Sequence, residues 1–312
     1  FVIAFGGAQP AMAAKAYQYY VVGNAADVVL PHPAKPSLML MGGGPDVDDA
    51  FQWMIKKSGG GNFVVLRASG TDTYNSYIHA MGGVTSVETI VIPSRDAANA
   101  PFVIARIKGA EALFIASGDQ SDYINNWQNT PVHAAIQELA SKNIPIGGTS
   151  AGLTIMGQYI FTALNGTISS PDALSNPFNK TITLRRNFLE LPYMNDLITD
   201  AHLETRDRMG RLLAFMARIV NDGWTNMVRS IGLDAETALL IDDGMALRVG
   251  IGSAYFRQTI GIPEVCKPKT PLTYSNIDVQ RLSDNETFSM RSWTGNGGDT
   301  NKTFAGSHDE QR

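Results

Sequence analysis

Ile144-Pro145-Ile146-Gly147-Gly148-Thr149-Ser150-Ala151-Gly152-Leu153-Thr154-Ile155-Met156 is an apolar run, a glycine-flanked serine and a second apolar run. A short buried strand that turns sharply into a helix has this pattern. The glycines two residues either side of Ser150 relieve the crowding of such a turn, because neither carries a Cβ. A serine oxygen held at that bend projects above the end of the strand. The plain alternative is a glycine-rich strand-to-helix loop that binds an anion on its backbone amides.

Upstream the same alternation repeats. Leu38-Met39-Leu40-Met41 runs into Gly42-Gly43-Gly44-Pro45-Asp46, and the spacing of Val47, Phe51, Met54 and Ile55 predicts a helix over 47–57. Phe63-Val64-Val65-Leu66 reads as a strand, 73–81 as a helix, 87–92 as a strand and 101–107 as a helix. Ala112-Leu113-Phe114-Ile115-Ala116 is a strand ending in Ser117-Gly118-Asp119-Gln120, followed by a helix over 132–142. Apolar runs without period-two alternation suit strands covered on both faces. The predicted fold class is therefore α/β, a three-layer sandwich with a mostly parallel sheet and helices on each side. In such sheets the loops at the carboxyl ends of the strands build the site. The glycine clusters at 42–44, 118 and 147–148 thus point to one crevice.

From Pro263 the helical spacing disappears, and 272–282 and 287–293 read as two strands around a Ser283-Asp284-Asn285-Glu286 turn. Phe1-Val2-Ile3-Ala4-Phe5 and the later Ala11-Met12-Ala13 look like the tail of a secretory signal peptide with its small-x-small cleavage rule. The plain alternative is an ordinary apolar segment. The expected division is a signal-peptide remnant at 1–13, an α/β domain at 14–262 and a small β-rich C-terminal appendage and tail at 263–312. Export, to a secreted or periplasmic location, is the expectation. Acceptor triplets at Asn165, Asn179, Asn285 and Asn301 would then permit glycosylation.

The 312 residues are 44% hydrophobic and 17% charged, which fits a globular chain with a sizeable core. The net charge of −4 comes with no basic patch, so no nucleic-acid partner is expected. No apolar run reaches about 18 residues, so no membrane span is expected. Cys266 is the only cysteine, and the five histidines have no metal-ligand spacing such as His-Glu-x-x-His. Neither a metal nor a cofactor is expected.

A serine alcohol is a weak nucleophile and needs a base. His202 lies between the apolar Ile198 region and a helix whose Met209, Leu212, Leu213, Met216 and Val220 share one face and which Gly223 ends. Ser150 and His202 are the candidate nucleophile and base. A carboxylate must orient the imidazole. Asp172, the only acid between Ser150 and Leu189, is the expected one. It could equally cap a helix, and Glu190, Asp196 and Asp200 are rivals. The amides of Ala151 and Gly118 are the candidate oxyanion hole, and Gln120 then faces the same cleft. Arg206, one turn beyond His202, and Arg211 are candidates to grip a substrate carboxylate. The alternative is a solvated helix face on which Asp207 pairs with Arg211.

Gly147-Gly148-Thr149-Ser150-Ala151-Gly152, with Ser117-Gly118-Asp119-Gln120 before it, resembles the cyanophycinase and dipeptidase E group of serine peptidases. Asp200-Ala201-His202-Leu203, followed by Arg206, Arg208 and Gly210-Arg211-Leu212, resembles the cyanophycinase branch in particular. The likeness covers roughly residues 36–260. It implies a fold like class I glutamine amidotransferases, a Ser-His-acid triad without cofactor, and cleavage at aspartyl bonds, in cyanophycinases the β-linked Asp-Arg units of cyanophycin. It also implies that Gln120, Asp200, Arg206 and Arg211 contact substrate. Two departures stand out. Ala201 occupies the place of a glutamine in that branch, and Leu203 that of a phenylalanine. Losing a glutamine removes hydrogen bonds on which specificity rests. The branch also uses a glutamate where Asp172 is proposed.

The expected activity is thus that of a secreted serine peptidase acting on a peptide or polypeptide with aspartyl or arginyl groups. A homodimer is left open. The competing expectation is a non-catalytic descendant that binds, builds surface structure or self-assembles. An esterase on an α/β-hydrolase frame shares the Gly-x-Ser-x-Gly pattern, but its base would follow the late strands.

Overall fold

The computed structural model describes residues 16–28, 30–283, 286–296 and, as backbone, 304–306. The expected signal-peptide remnant at 1–13 lies outside the described residues, as do Asn285 and Asn301. The first half alternates strands and helices: β1 (Gln18–Gly23), β2 (Ser37–Met41), α1 (Asp48–Ser58), β3 (Asn62–Arg67), α2 (Thr73–Ala80) and β4 (Ser86–Val91). It continues with α3 (Arg95–Ala98), α4 (Pro101–Lys108), β5 (Ala112–Ile115), α5 (Gln120–Trp127), α6 (Pro131–Ser141) and β6 (Ile146–Thr149). A one-turn helix, α7 (Ala151–Thr154), follows Ser150.

β4, β3, β5, β6 and β2 form a parallel heart in that order. All residues of β2, β4, β5 and β6 are buried, which is why their sequences show no alternation. One face of the sheet packs Met39, Phe63, Val65 and Phe114 against Phe51 and Met54 of α1 and Tyr74 and Ile78 of α2. The other packs Leu38, Leu40, Val64 and Leu113 against Val103 and Ile107 of α4, Trp127 of α5 and Ile136 and Leu139 of α6. The expected helix–sheet–helix layering is present here.

The second half builds more sheet than its sequence announced. After β7 (Tyr159–Phe161), α8 (Ser170–Ser175), β8 (Leu184–Arg186), β9 (Leu197–Asp200) and α9 (Met209–Asn221) come β10 (Arg229–Leu233), β11 (Thr237–Asp242), β12 (Met245–Gly250) and β13 (Ala254–Thr259). The chain continues through β14 (Tyr274–Leu282), β15 (Thr287–Ser289), β16 (Thr294–Gly295) and β17 (Phe304–Gly306). β11, β12, β15 and β16 extend the first sheet beyond β2, with antiparallel pairing. β17, β14, β13, β10, β9, β7 and β8 make a second, mixed sheet. Leu197, Ile231 and Phe256 of that sheet share a core with Leu239 and Phe288 of the first. Its opposite face is covered by α9 through Leu212, Phe215 and Ile219.

The late β segment is therefore built into both sheets. β14 pairs with β13 over six registers, and β15 with β12, so the stretch beyond 263 is not a separate appendage. Cys266 is buried, as a lone structural thiol would be. Among the described residues no helix is long and apolar enough to cross a membrane.

Candidate active site

Ser150 sits between β6 and α7 with φ 52° and ψ −113°, a strained conformation for a residue with a Cβ. Its amide donates to Met41 O across the sheet at 3.1 Å. The flanking glycines are required by contact. A Cβ on Gly148 would lie 2.6 Å from Gly152 O, and one on Gly152 would run into Ile115 O. The elbow is thus a close approach of three backbone segments that only glycine permits.

His202 comes from the second sheet. β9 ends at Asp200, and the chain crosses toward the first sheet, where the His202 amide donates to Gly42 O at 2.9 Å. His202 has φ 52° and is 8% exposed. Its Nε2 shares a 3.0 Å hydrogen bond with Ser150 Oγ. Gly43, φ 90°, lies against both side chains. A methyl there would collide with Nε2 and come within 3.0 Å of Ser150 Cβ. The strand-end glycines expected to share a crevice thus include one that touches both Ser150 and His202, and its role had no signal beyond the triple glycine.

Electrostatically the site is cationic. The imidazole is held down to about 4, first by burial and then by Arg206 and Arg208, with Asp200 opposing and Arg211 adding to the depression. His202 is therefore neutral at physiological pH, the form a general base needs. Arg206 is exposed, and no described side-chain partner occupies its guanidinium. Arg208 donates to Ala201 O at 3.0 Å and lies 3.6 Å from Asp200 Oδ1.

Two residues expected to contact substrate face inward. Arg211 Nε and Nη2 bind the Asp200 carboxylate at 2.8 and 2.7 Å, with Arg211 1% and Asp200 2% exposed. Arg211 Nη1 donates to Thr167 Oγ1 at 3.0 Å, and the guanidinium lies over the rings of Phe161 and Phe215. The solvated pairing with Asp207 does not occur either. Substrate contact by Asp200 and Arg211 is corrected accordingly: a bidentate buried pair is already satisfied.

The acid expected to orient His202 is not in place. Asp172 is exposed in α8, and its carboxylate accepts from Ser169 Oγ at 2.7 Å while its amide donates back to that hydroxyl. This is the capping alternative, and no hydrogen bond joins it to His202. Asp196 accepts from Tyr159, and Glu190 is exposed. Among the described residues no carboxylate bonds the His202 ring. The β10–β11 turn carries two further acids, Asp234 and Glu236. The Glu236 amide donates to Gly43 O at 2.8 Å, and the Asp234 carboxylate is spent on the amides of Glu204 and Ser253. Gly118 lies in the segment after β5, where a Cβ would come 2.8 Å from Tyr123 Oη, and Ala151 begins α7. Gln120 is half-buried and reaches Phe161 O at 3.4 Å.

A family model described as Peptidase family S51 matches residues 38–249. A cyanophycinase from Trichormus variabilis and one from Nostoc sp. are each 26% identical over 214 residues, covering 67% of this chain and 66% of theirs. One from Synechococcus elongatus is 24% identical over 216 residues and is covered over 62% of its length. The chain thus spans just under two thirds of these relatives. The crystal structure of a peptidase from an acI-B1 Actinobacterium matches with a TM-score of 0.54 at 16% identity, covering 83% of this chain and 98% of that one. That likeness concerns the fold.

Proposed function

The chain belongs to peptidase family S51, and from that membership we propose that it is a serine peptidase whose nucleophile is Ser150 and whose general base is His202. The observation that carries this reading is the 3.0 Å hydrogen bond between Ser150 Oγ and His202 Nε2 at a strained elbow. Ser150 Oγ attacks the scissile carbonyl while His202 Nε2 takes its proton. The amides of Ala151 and Gly118 receive the developing oxyanion. His202 returns the proton to the leaving amine, and water then hydrolyses the acyl-enzyme. Arg206, charged and unoccupied beside the base, takes a carboxylate of the substrate. That placement favours aspartyl bonds, with β-linked Asp-Arg, the linkage that the resemblance to cyanophycinases implies, the first to try. Export, drawn from the apolar residues before 14, belongs to the same proposal.

A non-catalytic descendant is favoured by one observation, the lack of a carboxylate on the His202 ring among the described residues. Mass-spectrometric hydrolysis assays separate the readings. The panel is β-Asp-Arg, α-Asp-Arg and cyanophycin, with Ser150→Ala as control. Serine-dependent cleavage of the β-linked substrate supports the proposal. Cleavage of the α-linked peptide alone moves it to a general aspartyl peptidase. No cleavage by folded protein favours the non-catalytic reading.

A further inference from the structure

We propose that Asp200 and Arg211 are positioning residues for His202: their buried ion pair fixes the loop 201–208 at both ends and so holds the backbone from which the imidazole projects toward Ser150. The inference rests on the Ser150–His202 reading above.

His202 holds a left-handed backbone conformation, which costs about 1–3 kcal/mol and persists only where the surroundings over-determine it. No carboxylate bonded to its ring does so among the described residues. Its backbone is what is held. The His202 amide donates to Gly42 O, the Leu203 amide to Leu233 O at 3.0 Å and the Arg208 amide back to Leu203 O at 2.7 Å. These bonds aim the ring only if the ends of the loop stay put.

Asp200 is the last residue of β9, immediately before the loop. Its Oδ1 accepts the Ala201 amide at 2.9 Å as well as Arg211 Nη2. Arg211 lies in the first turn of α9, immediately after the loop. Its own amide donates to Ser170 Oγ at 3.0 Å, and that hydroxyl bonds Asp207 O inside the loop. One ion pair therefore ties the residue before the loop to the helix after it, and α8 closes the knot through Ser170. Arg208 adds a third stake through Ala201 O. Misplacing a catalytic group by about 1 Å can cost on the order of 10²-fold in rate, so slack at either end falls on His202.

The test is the rate at which an uncharged alkyl fluorophosphonate labels Ser150. That probe needs the Ser–His geometry and no carboxylate pocket. The variants are Thr167→Val, Arg211→Lys and Arg211→Met, each corrected to its folded fraction by circular dichroism. The expected order is wild type, Thr167→Val, Arg211→Lys, Arg211→Met, with the last slower by about 10²-fold. Glu88→Gln, which breaks a buried pair remote from the loop, is expected to label at the wild-type rate per folded molecule. Wild-type labelling by folded Arg211→Lys and Arg211→Met overturns the proposal. If neither folds, wild-type labelling by Thr167→Val overturns it. Folded wild type that does not react at all sinks the serine-hydrolase reading instead.

Discussion

Glu88–Arg106 and Asp200–Arg211 are built alike and placed differently. In the first, a fully buried carboxylate on β4 takes Arg106 Nε of α4 at 2.6 Å, a second bond from Arg106 Nη2 and Tyr19 Oη of β1 at 2.9 Å. It fastens the edge strand and a helix to a sheet whose strands β3 and β5 separate it from β6. In the second, the same bidentate chemistry closes a loop that carries His202. A buried ion pair is weak evidence of net stability, yet breaking one leaves an uncompensated charge and costs about 3–5 kcal/mol. Both pairs carry that penalty. Only the second carries the proposed base, so on that proposal only there does loss of geometry register as loss of rate.

The comparison can be broken at several levels. The largest effect belongs to the reacting groups. Ser150→Ala and His202→Ala are each expected to lower kcat by at least about 10³-fold while leaving the melting temperature within a few degrees, read by peptide hydrolysis and calorimetry. The pairs come next. Glu88→Gln and Asp200→Asn are each expected to destabilise by about 3–5 kcal/mol in denaturant titrations. Per folded molecule, Glu88→Gln should keep full activity and Asp200→Asn should lose about 10²-fold. Equal losses in both would erase the distinction. Arg206→Gln is expected to raise KM for a carboxylate-bearing peptide by about tenfold with little change in kcat.

The acid limb of the pH profile tests the field around His202. The imidazole is held down to about 4 by burial and by Arg206 and Arg208, against an ordinary value near 6.5. The base stays neutral until the pH falls toward 4, so kcat/KM is expected to fall through about 4 rather than 6.5. The unfolded chain takes up its proton first. Stability from this group is therefore unchanged above 6.5 and declines as pH falls from 6.5 toward 4. The smallest effect is that of Asp172→Asn. As an exposed residue in the first turn of a helix that Ser169 caps, it should shift stability by less than about 0.5 kcal/mol and leave activity intact.

The sequence was legible where physics is local. Uninterrupted apolar runs marked the parallel strands up to Ser150 because both faces are covered. The glycines around Ser150 marked the elbow because a Cβ there collides with backbone. The second sheet was legible only in part. The strand read over 272–282 is β14, whereas β7, β8 and β9 are too short, at three or four residues each, to show a period. The direction of Arg211 was missed because a charged residue near a histidine reads as a substrate ligand. Its neighbours offered the opposite signal. Gly210 and residues 212–217 are all buried, and Asp200 ends an equally buried strand. Two charges set in apolar surroundings must find one another. The left-handed turn at His202 had no signature in residue type at all.

The most direct measurement is peptide mapping after treatment with an uncharged fluorophosphonate. The account predicts one adduct, on Ser150, in wild-type protein, and almost none in folded His202→Ala. An unmodified folded wild type, or an adduct on another residue, would contradict it.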